Sequence, residues 1–169
     1  MVYWLIPTKA KSELFRDIIG ILAKQFDAPS FAPHLTLCRT EEVKSVGKML
    51  SHAPIRLRIR GIAHSPKFTK ALFVRFTPTK SLKGLVTELG GKPNSLTDPH
   101  LSLLYAALPA AIRRELVATV KLPFGKVAFD AVMAMSCISP TENKQDVKSW
   151  RKLETKLLER GRTLGSTGC

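Results

Sequence analysis

Two five-residue frames constrain this chain more than anything else in it. Pro33-His34-Leu35-Thr36-Leu37 and Pro99-His100-Leu101-Ser102-Leu103 both read Pro-His-Leu-(Thr/Ser)-Leu. Leu and Thr suit a strand, and Pro belongs at a strand entrance, because it cannot donate to the ladder from the middle. Side chains alternate along a strand, so His34 shares a face with Thr36 and His100 with Ser102, while the leucines point into a core. Each frame therefore sets an imidazole beside a hydroxyl on a rigid element. A single His-x-Ser arises often by chance, and a lone strand histidine is more often packed or solvated than catalytic. The recurrence of the whole frame, once in each half of the chain, points instead to one cleft lined by two imidazoles and two hydroxyls.

The surrounding pattern supplies a scaffold. An apolar strand over 2–6 ends at Pro7. Ser12 is placed to cap a helix running to about Gln25, with Leu14, Phe15, Ile18, Leu22 and Phe26 as its apolar stripe. The first motif strand covers 34–38. Cys38, two residues beyond Thr36, either continues the site-facing row or packs as a buried thiol. Thr40 caps a second helix that buries Val43, Val46 and Leu50. After Pro54, Ile55, Leu57 and Ile59 alternate with Arg56, Arg58 and Arg60, and a strand over 71–77 pairs back as a hairpin. Thr79 caps a helix through Leu89 that Gly90-Gly91 terminates. Pro109 opens a helix turning Ile112, Leu116 and Val120 inward, a long strand covers 127–138, and 139–146 is a polar connection. In 150–158, Trp150, Leu153 and Leu157 fit helical spacing better than a period of two. The order strand, helix, motif strand, helix, strand occurs twice, so the architecture is α+β with an internal duplication.

At 169 residues the chain fits one compact domain or two small packed lobes, and a hydrophobic content of 44% argues against wholesale disorder. No apolar run is long enough for a membrane span, and 2–6 lacks the flanks of a signal peptide, so a cytoplasmic protein is expected. Cys38, Cys137 and Cys169 show no CxxC spacing, which speaks against a zinc site and a disulfide framework. The 27 Lys and Arg outnumber 13 Asp and Glu, a net +14 that favours anionic partners. Charge alone does not separate a nucleotide enzyme from a passive RNA binder. The arginine row is either a solvated sheet face or a track for a phosphate backbone. Residues 1–160 read as a single bilobal domain, 161–169 as a flexible tail.

His34-Leu35-Thr36 and His100-Leu101-Ser102 resemble the paired motifs that mark the 2H phosphoesterase superfamily. Pro99 to Ala106 with its Leu-Leu-Tyr extension, the early Trp4-x-x-Pro7, and Trp150 after a polar loop are similar to the plant-type cyclic nucleotide phosphodiesterases. The likeness spans most of the chain, and its specific parts are the motifs and that extension. It implies a bilobal fold of two antiparallel sheets around a water-filled cleft, with outer helices and pseudo-twofold duplication. It also implies a strand over 150–158. The implied activity is metal-independent, cofactor-free hydrolysis of nucleoside 2',3'-cyclic phosphates to 2'-phosphates and of ADP-ribose 1'',2''-cyclic phosphate to the 1''-phosphate. The strong basic charge and a different loop before His100 depart from the pattern and bear on the substrate.

The chemistry fits the residue types. Opening a strained cyclic phosphodiester needs a base for the attacking water and an acid for the departing ribose oxygen. Imidazole serves both near neutral pH, which makes His34 and His100 the catalytic candidates. The Thr36 and Ser102 hydroxyls are placed to hold the phosphate oxygens. The resemblance assigns water activation to His100 and leaving-group protonation to His34. Trp4 and Tyr105 are candidates for stacking on a base or capping the cleft, as well as for packing. His52 and His64, with no Ser or Thr two positions on, are surface residues. Two other readings compete. An RNA-end enzyme of the same superfamily, a 2',5'-phosphodiesterase or RNA ligase-like protein, is favoured by the charge. A non-enzymatic basic RNA-binding domain has no need of paired motifs. The expected partners are a cyclic nucleotide, ADP-ribose cyclic phosphate or RNA 3' ends, with no membrane and a monomeric chain.

Overall fold

A computed structural model describes residues 1–41, 45–46, 53–138 and 140–159. The strands are β1 (Val2–Pro7), β2 (Leu35–Arg39), β3 (Ile55–His64), β4 (Leu72–Phe76), β5 (His100–Leu104), β6 (Lys126–Ser136) and β7 (Arg151–Leu157). The helices are α1 (Lys9–Gln25), α2 (Lys80–Glu88), α3 (Ala110–Thr119) and the short α4 (Lys144–Lys148). Every strand pair is antiparallel, in the order β1-β2-β5-β4-β3-β6-β7. Because β1 also pairs with β6, six strands close into a barrel and β7 extends it along β6.

The mixed α+β class expected from the sequence holds, but the two separate sheets become one. The cause is β6. It is 11 residues long, so its start ladders with β3 and its remainder with β1 and β7, and no edge is left between the halves. The core lies on the helical side of the sheet. Tyr3, Leu5, Leu35, Leu37, Leu101 and Leu103 pack there against Phe15 and Leu22 of α1 and Leu82, Leu85 and Val86 of α2. The opposite face carries the motif histidines.

Local signals explain most boundaries. Thr79 caps α2, its hydroxyl accepting the Leu82 N–H at 3.2 Å, and Gly90 ends it at a φ of +82° that glycine adopts freely. Gly91 is required by proximity: a Cβ there would lie 2.6 Å from the Cys38 Cβ, so the end of α2 closes directly onto β2. Helix α1 begins at Lys9, earlier than Ser12 suggests. The Ser12 N–H already bonds to the Thr8 carbonyl, and its hydroxyl donates to the Pro7 carbonyl at 2.8 Å, tying the first helical turn to the end of β1. Within the expected polar connection, Asn143 starts α4 by accepting the N–H groups of Gln145 and Asp146.

The 150–158 segment is a strand, as the family likeness implied. The helical spacing misleads because Leu153 and Leu157 are not core residues: they are 53% and 59% exposed on the sheet edge. The expected second helix falls largely on residues outside those described, as do His52 and the tail from 161 onward. Among the described residues, no helix is long and apolar enough to cross a membrane.

Candidate active site

Strands β2 and β5 are neighbours in the sheet, paired antiparallel at Leu35 and Leu101. That register sets His34 across from Ser102 and Thr36 across from His100. All four side chains line one cleft of ≈ 240 Å³, whose walls include Trp4, Arg39, Tyr105 and Trp150.

Both imidazoles are held the same way. His34 Nδ1 lies 2.7 Å from the Ala32 carbonyl, and His100 Nδ1 lies 2.9 Å from the Asp98 carbonyl. A carbonyl only accepts, so Nδ1 carries the hydrogen in each ring and Nε2 is left for a proton transfer. Each partner is two residues upstream, so the turn into each strand fixes the tautomer of its histidine.

Their surroundings differ. His34 is 6% exposed, stacked on the Trp4 ring at 3.7 Å and flanked edge-on by Phe31 and Trp150. Burial pushes its pKa down to about 4, against the Ala32 hydrogen bond, and the nearby His100 lowers it further. His100 is more open. Burial lowers its pKa too, along with the Lys70 and Arg75 cations, while the bond to the Asp98 backbone and the Asp98 carboxylate oppose the change. That carboxylate is fixed by Arg75 Nε at 2.7 Å and Lys70 Nζ at 3.4 Å. The ion pairs hold Asp98 below the usual carboxylate range despite its partial burial. Of the two rings, His100 alone has a carboxylate beside it among the described residues.

The hydroxyls also differ. Ser102 Oγ donates to the Thr69 carbonyl at 2.7 Å, so its one hydrogen is engaged. The Thr36 hydroxyl has no protein partner among the described residues and is free to donate into the cleft.

Trp4 and Tyr105 line the cleft, but one face of each ring is already covered. Trp4 stacks on His34, and Tyr105 stacks on Phe31 at 3.8 Å. Trp4 therefore fixes the imidazole plane of His34. Burial pushes the Tyr105 phenol well above its ordinary range, so it stays protonated.

Several cleft residues were not assigned to the site from the sequence, and three of them, Arg39, Cys137 and Trp150, carry chemistry. A bulge in the β1–β2 ladder pairs Tyr3 with Cys38 but Trp4 with Thr36. The extra residue reverses the alternation: Cys38 turns into the core, 8% exposed, and Arg39, opposite Val2, joins the cleft wall. The site-facing option for Cys38 is thereby overturned, and a guanidinium stands in its place. Cys137 also lines the cleft, but burial pushes its thiol up to about 11, so it is not a nucleophile at neutral pH. His64, at the end of β3, lies beside Arg113 at 3.5 Å and is not among the cleft-lining residues.

Trp150 is the third. Its indole N–H is buried without a partner, in a residue that lines the cleft. An indole only donates, and leaving a donor buried and unpaired is costly. An oxygen acceptor on a ligand in the cleft would satisfy it. Trp150→Phe keeps the ring and removes the donor. The expected result is a KM raised about 3- to 10-fold, the size of one hydrogen bond, with kcat unchanged and the melting temperature held or raised. An unchanged KM assigns Trp150 to packing alone.

No protein-family model matches this sequence, and no curated protein matches it either. Solved structures do. Escherichia coli LigT complexed with 3'-AMP is 18% identical, with 94% of this chain and 97% of that one covered at a TM-score of 0.50. A structure titled simply as a phosphoesterase is 16% identical, covering 94% and 97% at 0.52. TT0787 of Thermus thermophilus is 16% identical, covering 94% and 98% at 0.52. The chain has a LigT-like fold.

Proposed function

We propose that this chain is a phosphodiesterase that opens cyclic phosphodiesters by two-histidine acid–base catalysis. The supporting observation is that both imidazoles share one cleft and one tautomer, each with Nε2 free of partners among the described residues. In the reaction, one Nε2 takes a proton from water as its oxygen bonds to phosphorus. The other, protonated, gives its proton to the ribose oxygen as the ring P–O bond breaks, and solvent resets both. The Thr36 hydroxyl and, once released from Thr69, the Ser102 hydroxyl stabilise the non-bridging oxygens. Arg39 neutralises the phosphate charge from the cleft wall.

The surroundings favour His34 as the base and His100 as the acid. A ring buried among aromatics stays neutral, whereas the more open His100 gives up less hydration and takes a proton more readily. This reverses the roles that the family likeness implied. The duplication of the two halves rests on the same matched motifs and belongs to this reading.

Nucleoside 2',3'-cyclic phosphates, opened to 2'-phosphates, and ADP-ribose 1'',2''-cyclic phosphate are the small substrates of the plant-type likeness. A second reading, an RNA end, is favoured by the size of the cleft. At ≈ 240 Å³ it is smaller than pockets that enclose whole ligands, about 300–1,000 Å³. It admits the cyclic phosphate with its sugar and leaves the remainder outside. A turnover panel of 2',3'-cyclic mononucleotides, ADP-ribose cyclic phosphate and RNA ending in a 2',3'-cyclic phosphate, run in chelator, tests the proposal. Monoester products are expected from at least one. No turnover of any by folded protein, or turnover abolished by the chelator, overturns it.

A further inference from the structure

We propose that the cleft-side face of β3 and β4 is a track for the backbone of single-stranded RNA whose 3' end occupies the cleft. This deepens the reading above and rests on it. Arg56, Arg58 and Arg60 of β3 are exposed, while Ile55 just before them and Leu57 between the first two are 3% and 1% exposed in the core. Across the β3–β6 ladder, Arg58 stands directly opposite Lys126. Like charges at opposed positions weaken a sheet. None of these four cations has a carboxylate partner among the described residues. Mixed signs would give solubility at no such cost, so the arrangement suits a ligand that supplies the negative charge.

The register ties the row to the histidines. Ile59 is opposite Phe76 on the core face; Arg60 is the extra residue of a bulge; Gly61 is then opposite Arg75. Arg75 in turn is opposite His100 across the β4–β5 ladder. Arg58 and Arg75 are each adjacent to a core residue, so both project from the other face, the one that carries His100. The basic face thus runs from His100 through Arg75 to Arg58, with Lys126 beside it, and on to Arg56. The Asp98 carboxylate pins Arg75 at the junction.

Alternate residues of a strand stand about 6.6–6.8 Å apart. Arg56 and Arg58 keep that interval, Arg60 follows in the bulge, and such a row fits a repeating anion better than a single phosphate. A base-paired end cannot deliver its terminal sugar into so small a cleft, so the polyanion is single-stranded. An anionic membrane would also respond to the charge, but a face at the mouth of a cleft cannot lie flat on a bilayer.

The test uses the full chain and the triple variant Arg56→Gln/Arg58→Gln/Arg60→Gln. All three positions are exposed, and the melting temperature confirms folding. Fluorescence anisotropy with a labelled single-stranded RNA ending in a 3'-phosphate gives affinity against salt. Loss of three phosphate contacts is expected to lower affinity at least tenfold at low salt and to flatten the log–log salt slope by about 2. Turnover of a 2',3'-cyclic mononucleotide should stay within twofold. Unchanged RNA affinity and slope in the triple variant overturn the track, as does loss of binding confined to phosphatidylserine vesicles. RNA binding lost in the triple variant, with no catalysis by wild type on any substrate, sinks the enzymatic reading and keeps the track.

Discussion

His34→Ala and His100→Ala are each expected to lose several orders of magnitude in turnover while remaining folded. Each removes one of the two Nε2 atoms through which protons pass, and each ring's backbone partner lies only two residues upstream, so little else is disturbed. Groups that act as a unit are non-additive, so the double variant should fall little below either single one. The pH profile of kcat/KM should be bell-shaped, because one ring must be neutral and the other protonated. Both rings are depressed in the free protein, which places the optimum below the ordinary imidazole value of about 6.5. An aryl phosphodiester separates the roles. Its leaving group departs without a proton, so it should largely restore His100→Ala and not His34→Ala. Restoration of His34→Ala instead returns the roles to those of the family likeness. Thr36→Ala should cost up to about 10²–10³ in kcat, as for an oxyanion-hole donor. Ser102→Ala should cost less, because its hydrogen must first leave the Thr69 carbonyl. Folded single variants with near-wild-type turnover end the catalytic reading.

The motif pairs were legible because a strand enforces a period of two on any sequence. His34 with Thr36, and His100 with Ser102, could share a face without knowledge of the partner strands. Period-two reasoning fails wherever a bulge adds a residue, and bulges leave no mark in composition. This is why Cys38 and Arg39 exchange faces relative to a regular strand, and why the arginine at the cleft wall went unread. Sheet closure was equally hidden: whether β6 joins the halves depends on which strands lie beside it, not on its own residues. Helical spacing in 150–158 failed for a different reason. Periodicity reports burial, and edge leucines are not buried. The aromatic packing around His34 was visible only as an early Trp and a late one. Their 5.0 Å edge contact, which walls the imidazole, is a product of strands β1 and β7 flanking β6.

That packing carries a cost in acid, and the sign follows from where the proton sits. In the unfolded chain His34 titrates near 6.5, whereas in the fold burial holds it down to about 4. Between those values the unfolded chain binds the proton and the native one does not, so stability rises with pH across the window. The neutral ring's contribution is complete above pH 6.5, is lost progressively as the pH falls, and is gone below about 4. The difference corresponds to about 3 kcal/mol. His100, also depressed, adds to it in the same direction. Against a typical stability of about 5–15 kcal/mol this is a large share. Urea denaturation at pH 7.5 and at pH 4.5 should show the wild type losing most of that amount. A His34→Gln variant, whose side chain does not titrate, should lose about 2.5 kcal/mol less over the same interval. Equal losses in the two proteins would mean that His34 accepts its proton in the folded state, and that the Trp4 stack opens to water as the pH falls.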